Sequence, residues 1–268
     1  MPFIEHQGNR VFFNVHGDGP PVVLGHSFLC SGEMWANQLD PLARRFRIIN
    51  IDFRGHGQSG EVREPFTLYD LVDDFVAVLD HLNIERAVWA GLSIGGMVAL
   101  RAALAARDRV SALILVDTHA GSERPYLKLK YRLLALGVKF VGSQPFLPAI
   151  VPMMFGPTTR KANPTLVREW KARFAAVHVP SILHGLGALN GRDSIVHRLN
   201  EIDVPSLVIV GEEDTSLPPA YSSQIAEAVT DSSLITISKS GHLSALEQPE
   251  AVTTAMLGFL DNLEPQTE

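Results

Sequence analysis

Arg86-Ala-Val-Trp-Ala-Gly-Leu-Ser-Ile-Gly-Gly-Met-Val-Ala-Leu-Arg-Ala-Ala-Leu-Ala-Ala, ending at Ala106, is the stretch whose reading decides the fold. Ala87 to Ala90 is an uninterrupted apolar run containing Val88 and Trp89, the composition of a strand covered by helices on both faces. Gly96 to Ala106, rich in Ala, Leu and Met, predicts a buried helix. Between them, Gly91-Leu92-Ser93-Ile94-Gly95 matches the G-x-S-x-G turn that lifts a serine hydroxyl to the carboxyl end of a sheet. Glycine is required on both sides because a Cβ there would collide across so sharp a turn. The following helix aims its first amides, that of Ile94 included, at the same point, where hydrogen bonding and the helix dipole stabilise a developing oxyanion. A serine between glycines is by itself only a flexible loop. The strand before it and the helix after it make Ser93 a candidate nucleophile, and the rest of the chain must then supply a base and an acid.

Downstream, Ser111 to Val116 is a further buried strand, ending at Asp117-Thr118-His119. From Gly121 to about Leu186 the pattern is helical and broken repeatedly by Gly and Pro, as several short helices joined by turns would read. Alternation resumes with a strand at Ser206 to Val210, a helix at Pro218 to Val229, a strand at Leu234 to Ile237 and a helix at Pro249 to Leu263. Asp214 follows the first of these strands in Gly211-Glu212-Glu213-Asp214, and His242 follows the second in Ser240-Gly241-His242. Loops after parallel strands share one sheet edge, so both side chains can reach Ser93, and the chain order Ser, Asp, His suits this architecture. Asp117, which also ends a strand beside that of Ser93, is the rival acid.

Upstream, Phe3 to His6 and Arg10 to His16 predict an antiparallel edge hairpin, and Pro21 to Gly25 a buried strand followed by His26-Ser27-Phe28. The loop after this strand supplies the second oxyanion donor, the amide of Phe28. His26 and Cys30 read as packed loop residues, Cys30 because nothing adjacent would lower its pKa. Glu33 to Arg44 predicts a helix and Phe46 to Ile51 a strand. Asp52, Arg54 and His56 follow in a glycine-punctuated loop whose charged groups tie down their own turn. Thr67 and Asp70 form a capping-box pattern before the apolar stripe Leu68, Leu71, Val72, Phe75, Leu79 and Leu82. The fold expected is α/β: a mostly parallel, doubly wound sheet with an antiparallel N-terminal hairpin. Residues 1–121 and 187–268 form the core domain, and residues 122–186 a helical cap inserted late in the sheet.

The chain has 268 residues, 46% of them apolar, enough to bury one large core. Its net charge of −6 argues against a nucleic-acid partner. No apolar run is long enough to span a bilayer, no signal-like segment opens the sequence, and the single cysteine suits a reducing compartment, so a cytoplasmic location is expected. There is no zinc-like Cys/His cluster, and the chemistry needs neither metal nor organic cofactor. The charge is unevenly spread: Ser122 to Pro180 holds ten Lys/Arg against two Asp/Glu, a net +8, which leaves −14 elsewhere. Lys128, Arg132 and Lys139 fall on one side of a Leu-rich helix and read as a solvated stripe, with substrate steering as the alternative.

Gly25-His26-Ser27-Phe28, Asp52 to Ser59, Gly91 to Gly96, Gly211 to Asp214 and Ser240 to His242 together resemble the α/β-hydrolase superfamily over nearly the full length. A weaker resemblance, carried by His26 to Leu29, Met34-Trp35 and Gly91 to Gly96, links the chain to 3-oxoadipate enol-lactonases and small carboxylesterases. The resemblance implies a serine hydrolase that cleaves a small ester or lactone through an acyl-enzyme, with Ser93 as nucleophile, His242 as base and Asp214 as acid. It argues against dehalogenase and epoxide hydrolase chemistry, for which this superfamily uses Asp. A carbon–carbon bond hydrolase or perhydrolase shares every motif named, and a small-ligand receptor on the same fold is the alternative of another class. The cap is expected to build the substrate pocket through Met153, Met154, Phe155, Trp170 and Phe174. Monomer and homodimer both remain open.

Overall fold

The computed structural model describes residues 2–263. Eight strands form one sheet: β1 (Phe3–His6), β2 (Asn9–His16), β3 (Pro21–Gly25), β4 (Arg47–Ile51), β5 (Ala87–Leu92), β6 (Val110–Val116), β7 (Ser206–Gly211) and β8 (Ser232–Ile237). Their spatial order is β1-β2-β4-β3-β5-β6-β7-β8, with β1–β2 and β2–β4 antiparallel and every other pair parallel. The chain lays β4 on one side of β3 and then crosses to place β5 on the other. Such a reversal opens a crevice at the carboxyl ends of the two strands. Gly25 and Gly91 are register partners at that spot, with Phe28 and Ser93 a few residues beyond.

The continuous apolar runs follow from burial on both faces, since successive strand residues point to opposite sides. Val23, Ile49, Trp89, Leu113 and Val208 face one core, completed by α2 (Leu68–His81) and α3 (Ile94–Ala105). Val22, Ile48, Val88, Ile114 and Ile209 face the other, with α1 (Ala36–Ala43) and the C-terminal helix. Helix α2 opens on the expected capping box: the Thr67 hydroxyl accepts from the Asp70 amide, and the Asp70 carboxylate accepts from the Thr67 amide at 2.7 Å. A single N-cap of this kind contributes about 1 kcal/mol.

Everything between β6 and β7 is helix, turn or loop: α4 (Pro125–Val141), α5 (Leu147–Met154), α6 (Pro157–Ala162), α7 (Pro164–Ala176) and α8 (Val179–Gly191), then a 3-10 stretch at Val196–Glu201. Helix α8 runs past the expected boundary at residue 186. Gly185 marks a close approach within it, because a Cβ there would lie 2.5 Å from the Phe28 ring. The expected helix at Glu33 to Arg44 is a 3-10 turn, Gly32–Trp35, followed by α1. The chain closes with α9 (Pro219–Ala228), β8, α10 (Ser244–Glu247) and α11 (Pro249–Leu260).

Candidate active site

Ser93 ends the turn between β5 and α3 with φ +58°, a left-handed conformation that costs a non-glycine residue on the order of 1–3 kcal/mol. The surroundings hold it there. Its amide donates to Val116 O at 2.8 Å, while its carbonyl accepts from the Met97 amide at 3.0 Å and the Thr118 hydroxyl at 2.7 Å. A Cβ on Gly91 would fall on the carbonyl of Gly95, and one on Gly95 would fall on the carbonyl of Gly25. Close backbone approach, across the turn at Gly91 and against β3 at Gly95, therefore dictates both glycines.

His242 stands in the loop after β8 and Asp214 in the loop after β7; both are buried. His242 Nδ1 donates to Asp214 Oδ2 at 2.8 Å, because a carboxylate can only accept, and this fixes the tautomer. Nε2 is then free to accept the Ser93 hydroxyl at 2.9 Å. The other oxygen of Asp214 accepts from the amides of Ser216 (2.8 Å) and Leu217 (2.9 Å), which fixes its orientation. Burial pulls the His242 pKa down, but the charge and hydrogen bond of Asp214, reinforced by Asp117 and Glu247, outweigh it and leave the value raised.

Asp117 does not bond His242. Its Oδ1 accepts from the Gly211 amide at 2.7 Å and its Oδ2 meets the Ser244 hydroxyl at 2.6 Å, so it ties the ends of β6 and β7 to the loop of His242. Burial first, and the nearby Asp214 charge second, push its pKa up to about 8. His26 spends both ring nitrogens on structure, donating from Nδ1 to Ser27 O at 2.7 Å and accepting the Phe53 amide on Nε2 at 2.9 Å. Burial lowers its pKa to about 4 and raises that of Cys30, leaving a neutral ring and an inert thiol. Asp52 ties its own loop through the Gln58 amide, as expected, and also accepts from the Gly32 amide in the loop after β3, while Arg54 reaches out to α2 and makes a bidentate pair with Asp74, both bonds 2.7 Å long.

The amides of Phe28 and Ile94 donate to no protein acceptor among the described residues. A cavity of about 180 Å³ opens on Ser93, His242 and Phe28. That is below the roughly 300–1,000 Å³ of pockets that hold drug-sized ligands, and so suits a small molecule. Met153 and Met154 line it. Phe155, Trp170 and Phe174 do not, contrary to expectation. Their rings pack on one another, 6.3 Å apart for Phe155–Phe174 and 6.2 Å for Trp170–Phe174, in the core beneath α5 and α7. The cavity wall comes instead from α4, α5 and α8.

Several residues with a part in the site escaped the sequence reading. Thr118 locks the strained carbonyl of Ser93. Glu247 accepts from the amides of Gly241 (3.0 Å) and Leu243 (3.2 Å) on one oxygen and of Gly156 (2.9 Å) on the other, clamping the His242 loop to α5 and α6. Arg192, buried, and Glu123, half-buried, line the cavity as an ion pair at 3.1 Å. Only Thr118, two residues past the end of β6, carried a positional signal.

The model of the family described as having the α/β-hydrolase fold matches residues 20–249. The chain belongs to the α/β-hydrolase fold family. Within it, the chain is 28% identical to the "Putative carbamate hydrolase RutD" of Azorhizobium caulinodans, over 98% of this chain and all of that one. Among solved α/β hydrolases, an esterase of Thermogutta terrifontis superposes with a TM-score of 0.92 at 29% identity, covering 97% of this chain and 96% of the other. The enol-lactonase of Burkholderia xenovorans superposes with a TM-score of 0.91 at 26% identity, covering 97% and 100%.

Proposed function

We propose that the protein is a serine hydrolase of small, uncharged carboxylic esters. The observation that carries this reading is the unbroken relay from the Ser93 hydroxyl through both nitrogens of His242 to Asp214. In this reading Ser93 Oγ bonds to the ester carbonyl carbon as its proton passes to His242 Nε2. Asp214 holds the tautomer and stabilises the imidazolium. The amides of Phe28 and Ile94 receive the oxyanion, a contribution of about 3–4 kcal/mol per donor where such donors have been removed. The tetrahedral intermediate collapses, the carbon–oxygen bond to the alcohol breaks, and His242 returns the proton to the leaving alkoxide. Water then attacks the acyl-enzyme by the same route and frees the acid and Ser93.

The likeness to an esterase and to an enol-lactonase supports acyl–oxygen cleavage, and leaves the lactone as a second reading. The cavity favours uncharged substrates. Arg192, the one arginine in its lining, is already neutralised by Glu123, so an entering carboxylate would be buried without a free partner. The decisive experiment combines Ser93→Ala with labelling by a fluorophosphonate. The expected result is loss of p-nitrophenyl acetate hydrolysis by at least about a thousandfold with an unchanged circular dichroism spectrum, and a single adduct on Ser93 in the parent protein. Substantial turnover by folded Ser93→Ala protein would refute the assignment.

A further inference from the structure

Helix α4 is apolar on two opposite faces. Leu127, Tyr131 and Leu134 point inward and wall the catalytic cavity, while Val138 is buried beneath. Tyr126, Leu129, Leu133, Leu136 and Phe140, spaced three and four apart, form a second stripe on the outside, each between 53% and 76% exposed. A helix apolar on both sides belongs between two covers, and the fold supplies one. A run of five large apolar side chains is more than the scattered exposure normal on a soluble surface. The stripe is edged by cations: Lys130 lies on one flank, Arg132 and Lys139 on the other, and all three are exposed.

We propose that this outer face of α4 docks on an anionic phospholipid surface, with Leu129, Leu133, Leu136 and Phe140 entering the acyl boundary and the flanking cations held at the headgroups. Charge selects this occupant. Helix α4 itself holds Lys128, Lys130, Arg132 and Lys139 and no Asp or Glu, a net +4, which leaves −10 for the rest of the chain, so an anionic plane attracts α4 and repels the body, orienting the molecule. A second copy docked face to face would set Arg132 and Lys139 against the same cations. A head-to-tail copy could offer acidic charge, but outside α4, whose last residue Val141 is also exposed, the large apolar side chains left exposed, Val15, Tyr69, Leu234 and Ile235, are only 36–39% exposed and form no matching stripe. The helix would lie on the membrane rather than span it, since no helix among the described residues is long and apolar enough to cross one. Its inner face walls the cavity, so docking places the hydrolytic site next to esters dissolved in the lipid.

The test is flotation of the full chain with phosphatidylcholine vesicles, with and without phosphatidylglycerol. The protein is expected to float with the anionic vesicles and to be released by salt. Each cation removed should weaken partitioning about fivefold, so Lys130→Gln with Arg132→Gln should lose about 25-fold. Leu133→Ser with Leu136→Ser should abolish flotation. Both double variants alter side chains outside the cavity, and unchanged hydrolysis of a soluble ester shows that they are folded. Flotation that ignores lipid charge, or that survives both variants, overturns the proposal. So does a protein that floats with neither vesicle. If that protein sediments as a dimer which Leu133→Ser dissociates, the face belongs to a second copy; if it sediments as a monomer, neither a membrane nor a second copy covers it.

Discussion

Asp117 and Asp214 end neighbouring strands, and either could have been the acid on position alone. Hydrogen bonding separates them. Asp214 is aligned by two amides and faces Nδ1 of His242, whereas Asp117 is consumed by Gly211 and Ser244. Among the described residues Asp117 meets only the amides of Gly211 and Ser244 and the Ser244 hydroxyl, and asparagine keeps its shape and one of its acceptor oxygens. Asp117→Asn is therefore expected to keep kcat within about tenfold of the parent and to cost at most about 1–3 kcal/mol of stability. Asp214→Asn leaves the shape intact but lets His242 take the wrong tautomer, and should lower kcat by about 10³–10⁴. Steady-state kinetics on a soluble ester, with urea denaturation of both variants, decides the ranking. The reverse order would move the acid to Asp117.

The loops after β3 and β4 meet through two buried imidazoles, His26 and His56, whose ring centroids are 5.4 Å apart. Burial lowers the first to about 4 and the second to about 3, the latter with help from His26. An unfolded histidine takes up a proton below its ordinary 6.5, while the folded ones refuse it until about 4 and 3. Folding thus excludes protons across that window, and the stability present above pH 6.5 is lost as pH falls through it. At pH 5 the loss is on the order of 2 kcal/mol for each ring. Urea denaturation at pH 7 and pH 5 should show this drop, and His56→Gln should shrink it. An equal drop in the variant would contradict the account. These elements also show what a sequence can reveal. Strands buried on both faces leave continuous apolar runs, and motif residues sit at strand ends, so the sheet and the grouping of Ser93, Asp214 and His242 could be read in advance. Phe155 could not be placed, because it caps α5, a short helix interrupted by Pro152; Trp170 and Phe174, one turn apart on the 13-residue α7, mark an apolar face, but a period alone does not say whether that face meets the cavity or the core. Glu247 gave no warning either, since a glutamate in a one-turn helix reads as surface until the amides that converge on it are seen.

At the scale of the whole molecule, the charge imbalance is spatial as well as sequential. Lys130, Arg132, Lys139, Arg160, Arg168 and Lys171 are exposed, and none of them lines the cavity, whose one arginine is matched by Glu123. A charge steers a substrate when it lies uncompensated along the path to the reacting atom, where low-dielectric walls focus its field. Here the basic residues face outward and the cavity interior is neutralised, so steering is not expected. Raising ionic strength from 0.01 M to 0.15 M shortens the screening length from about 30 Å to about 8 Å. Across that range kcat/KM for a neutral short-chain ester and for an anionic lactone should change by the same factor, to within about twofold, with the anionic lactone poorer throughout because its carboxylate is buried without a partner. The measurement is initial rates on both substrates in vesicle-free buffer across a salt series. A steep fall confined to the lactone, blunted by Arg168→Gln or Arg160→Gln, would show that the outer cations reach the substrate and would favour the lactonase reading over the neutral ester.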